Sequence, residues 1–134
     1  MAENMDTTGM TAGAAPAMAL PIDLAQFREI TGGSAELEHA ILVDFRDSLR
    51  PDEEELRAML ARGDAAALAR CAHRIKGAGR VIAAQELVAA CEAIEAAAKN
   101  APQSIAAIDL AAFNRAVARM RIWLTQRLEA APPS

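Results

Sequence analysis

Apolar residues recur every three or four positions along most of the chain from Asp23 to Leu128, and no run alternates with a period of two. That spacing gathers the apolar side chains on one face of an α-helix, so the pattern predicts helices throughout. Asp23 is placed to cap a short first helix carrying Leu24, Phe27 and Ile30, stopped by Gly32-Gly33. Ser34 caps a longer one, with Glu36 and Glu38 in its first turn, where the helix dipole favours acids. Its stripe reads Leu37, Ile41, Phe45, Leu49, Leu56, Met59 and Leu60, and Pro51 should kink this helix without ending it. Gly63 closes it, Asp64 caps the next, and the third helix runs from Ala65 to about Val81 with Leu68, Ala72, Ile75, Gly79 and Ile82 on one stripe.

A break near Ala83 leads to a fourth helix with Leu87, Cys91, Ile94 and Ala98 on one face, ending around Asn100 and Pro102. Ser104 is expected to cap the last helix, with Ile105, Ile108, Ala112, Ala116, Met120, Trp123 and Leu128 on its stripe and Leu124 beside it. Four long amphipathic helices with short connections predict an all-α fold. The expected arrangement is an antiparallel up-down-up-down four-helix bundle, with the short N-terminal helix as an extra element. Residues 1–21 lack periodicity and are expected to be a flexible leader or linker; 22–130 form the bundle and 131–134 a frayed tail.

Composition narrows this picture. The 134 residues suffice for one core. Aromatics make up 3%, tyrosine is absent and alanine is abundant, which together with the missing period-2 runs points to an all-α chain. Cys71 and Cys91 have neither metal-ligand spacing nor the density of a disulfide scaffold, and are expected as reduced thiols in the core. No stretch is long and apolar enough to span a membrane, and the N-terminus, with Glu3 and Asp6, lacks the basic region of a signal peptide. A soluble, cytoplasmic domain without direct membrane insertion is expected. The net charge of −4 argues against a nucleic-acid binder, which needs a basic face to displace counterions.

Within this acidic chain, Arg70, Arg74, Lys76 and Arg80 surround His73, and no acid lies between Leu68 and Ile82. Turning 100° per residue places His73 about 140° from the centre of the apolar stripe, on the outer face with Ala69, Arg70, Lys76, Gly77 and Arg80. His73 is therefore not a core imidazole. Gly79 falls in the buried stripe, where it lets the fourth helix approach. Gly77 falls on the outer face, where glycine costs about 1 kcal/mol against alanine, so the bare backbone there suggests room for a partner. Glu36 and His39 have the spacing of half a di-iron site, but no second half exists, and His39 reads as a partly exposed surface residue.

The run His73-x-x-Lys76-Gly77, followed by Leu87-x-x-x-Cys91-x-x-Ile94-Glu95, resembles the histidine phosphotransfer (HPt) domain of two-component phosphorelays. Ala72 before His73, and Phe45, Leu56, Leu60 and Gly63-Asp64 upstream, fit the same resemblance. It is most similar to the C-terminal HPt modules of bacterial hybrid sensor histidine kinases, and it departs at Ala83, where the family often has glycine. The resemblance implies that His73 takes a phosphoryl group from the aspartyl phosphate of one receiver domain and passes it to the Asp of another. Its partners would be the receivers of a hybrid kinase and of a response regulator. Membership in such a kinase would tether the domain to the inner membrane. An ordinary imidazole, with a pKa of about 6.5, is a competent nucleophile near neutral pH.

Phosphoryl transfer asks for positioning and charge neutralisation, so Lys76 is expected to stabilise the phosphoryl charge and Arg80 to be a second cationic contact. Gly77 would give clearance for receiver docking. No acid cluster lies near His73 in the sequence, so Mg²⁺ and its ligands are expected on the receiver and no cofactor on this chain. There is no P-loop and no kinase glycine-rich loop, which makes the expected protein a phosphohistidine carrier rather than an enzyme. The alternative is an adaptor bundle without chemistry, separated by phosphate uptake at His73. A DNA-binding helical protein is disfavoured by the acidic charge and the lack of a second polar reading helix.

Overall fold

The computed structural model describes residues 20–130. Most of the expected leader and the whole expected tail lie outside these residues. The helices are α1 (Leu24–Thr31), α2 (Ala35–Arg62), α3 (Ala65–Val81), α4 (Gln85–Asn100) and α5 (Ala111–Ala130), with a 3₁₀ segment at Pro102–Ala107 between the last two. Helices α2 to α5 form a four-helix bundle in which each packs on its neighbours in the order α2, α3, α4, α5 and back to α2. The α1 helix packs against α2.

The predicted caps close these helices. Asp23, Ser34 and Asp64 accept from the backbone N–H groups of Gln26, Leu37 and Ala67, each at 3.1 Å. Such a bond satisfies one of the orphan donors of a first turn. Gly32 and Gly63 end α1 and α2 in the left-handed conformation, at φ 67° and 73°. Helix α2 continues through Pro51, which has no N–H to offer the carbonyl of Asp47.

The core includes Phe27, Leu42, Leu56, Leu68, Ile75, Leu87, Phe113 and Met120. All four predicted apolar positions of α4 are buried, as are Leu68, Ala72, Ile75, Gly79 and Ile82. On α2 the predicted stripe drifts. Leu37 is exposed and Ile41 half-buried, while Glu38 and Leu42 face inward. Four-residue steps overshoot a full turn by about 40° each, so a run of them from Phe45 back to Leu37 leaves the buried face. The buried Glu38 carboxylate is held by the Thr31 hydroxyl at 3.0 Å and faces Arg127 of α5 at 3.7 Å. Arg127 also lies over the ring of the half-buried Trp123, 5.7 Å from its centroid.

The start of the last helix corrects the sequence reading. Ser104 lies inside the 3₁₀ segment with non-helical dihedrals, and α5 begins only at Ala111. Pro102 favours a new tight turn, and the Asp109 carboxylate takes the Ala111 N–H at 2.9 Å, so the α-helix starts there. Ile105 is still buried, but from the 3₁₀ segment. The inward face of α5 is Phe113, Ala116, Val117, Met120, Leu124 and Leu128, and Ala112 is exposed.

Two local features fix the approach of α3 and α4. A Cβ built on Gly79 would stand 3.2 Å from Cγ2 of Val88, so the bare backbone permits this close contact. The connecting turn places Ala83 at φ 59°, the left-handed region that favours glycine. The Ala84 N–H reaches back to the Gly79 carbonyl at 2.8 Å, and the Ala83 carbonyl accepts the Asp23 N–H at 2.9 Å, tying the entry of α1 to this turn.

Candidate functional site

Helix α3 presents His73 to solvent, with 66% of its side chain exposed, while Ala72 beside it is fully buried. The outward placement expected from the helical wheel is what the fold produces. The close pairing of α3 with α4 brings Glu95 to the imidazole: Oε2 lies 3.1 Å from Nδ1 of His73. Oε1 of Glu95 accepts from Lys76 Nζ at 2.7 Å, and Oε2 also accepts from Lys99 Nζ at 3.0 Å. The hydrogen bonds from Lys76 and then Lys99 outweigh the effect of burial and pull the Glu95 carboxyl down to about 2. Glu95 is thus an ionised, acceptor-only group at neutral pH, and the hydrogen bond requires the proton on Nδ1. Nε2 is left with its lone pair.

A family model described as the Hpt domain matches residues 40–130, the whole bundle apart from the start of α2. The chain belongs to the Hpt domain family. It is a histidine-containing phosphotransfer carrier of phosphorelays, a class that exchanges phosphoryl groups with receiver domains. Comparison with curated proteins and with solved structures returns no match. Among the described residues of this Hpt domain, no helix is long and apolar enough to cross a membrane.

The site residues read from sequence fall in different surroundings from those expected. Lys76 does not stand free on the outer face: its side chain is only 12% exposed and is folded over α4 onto Glu95. Arg80 keeps an exposed side chain but is paired with Glu92 of α4 at 3.0 Å. Arg74 turns the other way, bonding Asp52 at 3.2 Å and Glu55 at 2.6 Å on α2. The cationic run around His73 is therefore largely neutralised by acids from neighbouring helices. Only Arg70 of the four has no acid partner among the described residues. Ala69, expected outward with His73, is buried beneath the histidine side of α3.

Gly77 is exposed, and a Cβ built on it meets nothing within 4 Å, so the outer face one turn beyond His73 is open. Sequence reasoning gave no role to Glu95 or Lys99 and placed no acid beside His73. Glu95 lies 22 residues downstream on another helix, so periodicity around His73 has no access to it. Both cysteines are free and buried, as expected, and burial pushes the Cys91 thiol up to about 12. His39 is half-buried on α2.

Proposed function

We propose that His73 is the phosphoacceptor of this Hpt domain and that Glu95 sets the tautomer in which it reacts. The observation that carries the reading is the contact between the ionised Glu95 carboxylate and Nδ1, on an imidazole whose other edge faces solvent. The Nε2 lone pair forms the N–P bond while the P–O bond to the receiver's aspartate breaks, its electron pair leaving with the carboxylate. Nδ1 keeps its proton against Oε2, so the ring becomes an imidazolium stabilised by Glu95. Onward transfer reverses these events to a second receiver, and the neutral imidazole then leaves readily. Lys76 holds Glu95 in place from the other oxygen and so positions the imidazole. Gly77 supplies clearance for the docked receiver.

The partners in this reading are the receivers of a hybrid kinase and of a response regulator, met in the cytoplasm. The chain takes its phosphoryl group from them and has no kinase activity of its own. Magnesium belongs to the receiver in this reading, since both Glu95 oxygens are already engaged by the two lysines and Nδ1. No three His, Cys, Asp or Glu side chains among the described residues gather as metal ligands. Incubation with a phosphorylated receiver should give the wild type an acid-labile, base-stable phosphate, retained in His39→Gln and abolished in His73→Gln. Label that persists in His73→Gln and vanishes in His39→Gln would falsify the assignment.

A further inference from the structure

Besides the clear surface over Gly77, the imidazole has a second open side, away from Lys76 and Arg80. A hollow of about 690 Å³ lies beside His73 toward the start of α3, floored by Ala66 and Ala69 and rimmed by Arg70, Glu95 and Lys99. It is far roomier than a phosphoryl group needs, so a receiver's loop can enter with it. Toward the end of α3, the corresponding space is crossed by the Lys76–Glu95 and Arg80–Glu92 pairs.

Resting on His73 as the phosphoacceptor, we infer that Lys99, with Arg70 lining the same hollow, is the cation that contacts the transferring phosphoryl group. The two lysines on Glu95 are unlike in the property that matters. The Lys76 side chain is 12% exposed, against 62% for that of Lys99. Lys76 has Oε1 to itself, whereas Lys99 shares Oε2 with the His73 Nδ1–H. When Nε2 gains the phosphoryl group, the ring becomes cationic and its bond to Oε2 tightens. The imidazolium then repels the Lys99 ammonium, while the phosphoryl oxygens attract it. An exposed lysine stem makes that move by rotamer changes, at little cost in packing. When Lys99 leaves Oε2, the imidazolium remains there, whereas Lys76 cannot follow without stripping Oε1 of its one donor. Arg70 brings a guanidinium with no acid partner among the described residues to the same hollow, one turn before His73.

The transfer itself balances without either cation gaining or losing a proton. The N–P bond forms, the P–O bond of the donor breaks, and both side chains act by charge alone. Their work is to hold and neutralise the charge spread over the three equatorial oxygens of the phosphoryl group in the transition state.

The test uses the full chain, single-turnover phosphorylation of His73, and two donors: phosphoramidate and a phosphorylated receiver. Lys99→Gln should slow labelling from both donors about 10-fold, and Lys99→Gln with Arg70→Gln about 100-fold, with only a small fall in melting temperature because the Lys99–Glu95 pair is largely exposed at the lysine. Lys99→Arg should restore most of the rate. In ³¹P spectra of the phosphorylated chain, the phosphoryl group should titrate at higher pH in Lys99→Gln than in the wild type. Wild-type rates with phosphoramidate in the double variant would overturn the inference. So would a loss confined to the receiver, which would make these cations docking contacts only. Neither result touches the assignment of His73, which fails separately if His73→Gln still takes label.

Discussion

Lys76 and Gly77 are adjacent on α3 and answer to opposite demands. Lys76 gives up solvent to hold a buried carboxylate, so its loss is felt in the fold. Lys76→Gln should lower stability by about 1–2 kcal/mol in urea melts, because Glu95 stays buried with only Lys99 and His73 as partners. Gly77 gives up helix stability to keep a surface bare. Gly77→Gln should melt at the wild-type temperature or above, since the new side chain enters open space. It should also lose transfer from a receiver while still reacting with phosphoramidate; wild-type rates with both donors would remove the clearance role. His73 and Gly77 were legible in the sequence because their positions follow from one helix's own period. The surroundings of Lys76 were not, because its partner comes from another helix and only packing decides which cations stay free.

For the helices, the turn between α3 and α4 is the place where local preference and the fold disagree. Ala83 adopts a left-handed conformation that costs a residue with a Cβ about 1–2 kcal/mol. Glycine removes that cost but loses about 0.4–1 kcal/mol through its more disordered unfolded state, so Ala83→Gly should stabilise by up to about 1.6 kcal/mol. A drop in melting temperature would show that burial of the Ala83 methyl outweighs the strain. With Ala83 in this conformation, the Gly79 carbonyl is capped by the Ala84 N–H. Helix ends were legible wherever a capping side chain and a glycine met, as at Ser34 and Gly63-Asp64. The start of α5 was misread because Ser104 and Asp109 are both good caps, and the 3₁₀ segment that decides between them has no hydrophobic period to announce it.

At the scale of the bundle, two of the buried carboxylates among the described residues, Glu95 and Glu53, make stability depend on acid. Hydrogen bonds from Lys76 and Lys99 hold Glu95 near 2 against an ordinary value of 4.5. Burial raises the Glu53 carboxyl on α2, but hydrogen bonds from Arg57 and Arg121 more than reverse that, and it too ends below 4.5. Depressed carboxyls stabilise the fold fully above their unfolded value, and this contribution disappears as pH falls through the folded one. The urea midpoint should therefore change little through these groups above about pH 5 and fall between about 4.5 and 2. In Glu95→Gln it should start lower at neutral pH and fall less steeply; an unaltered slope would remove Glu95 from the acid response. The bundle's geometry has a separate optical consequence. Trp123 is the only tryptophan and there is no tyrosine, so the intrinsic fluorescence comes from one indole on α5. That helix packs on α2 and α4, diagonally across from the α3 surface that carries His73. The emission is thus a built-in gauge of unfolding that stays silent when a partner merely settles over the histidine, and a change of colour on mixing would mean that docking is felt through the core.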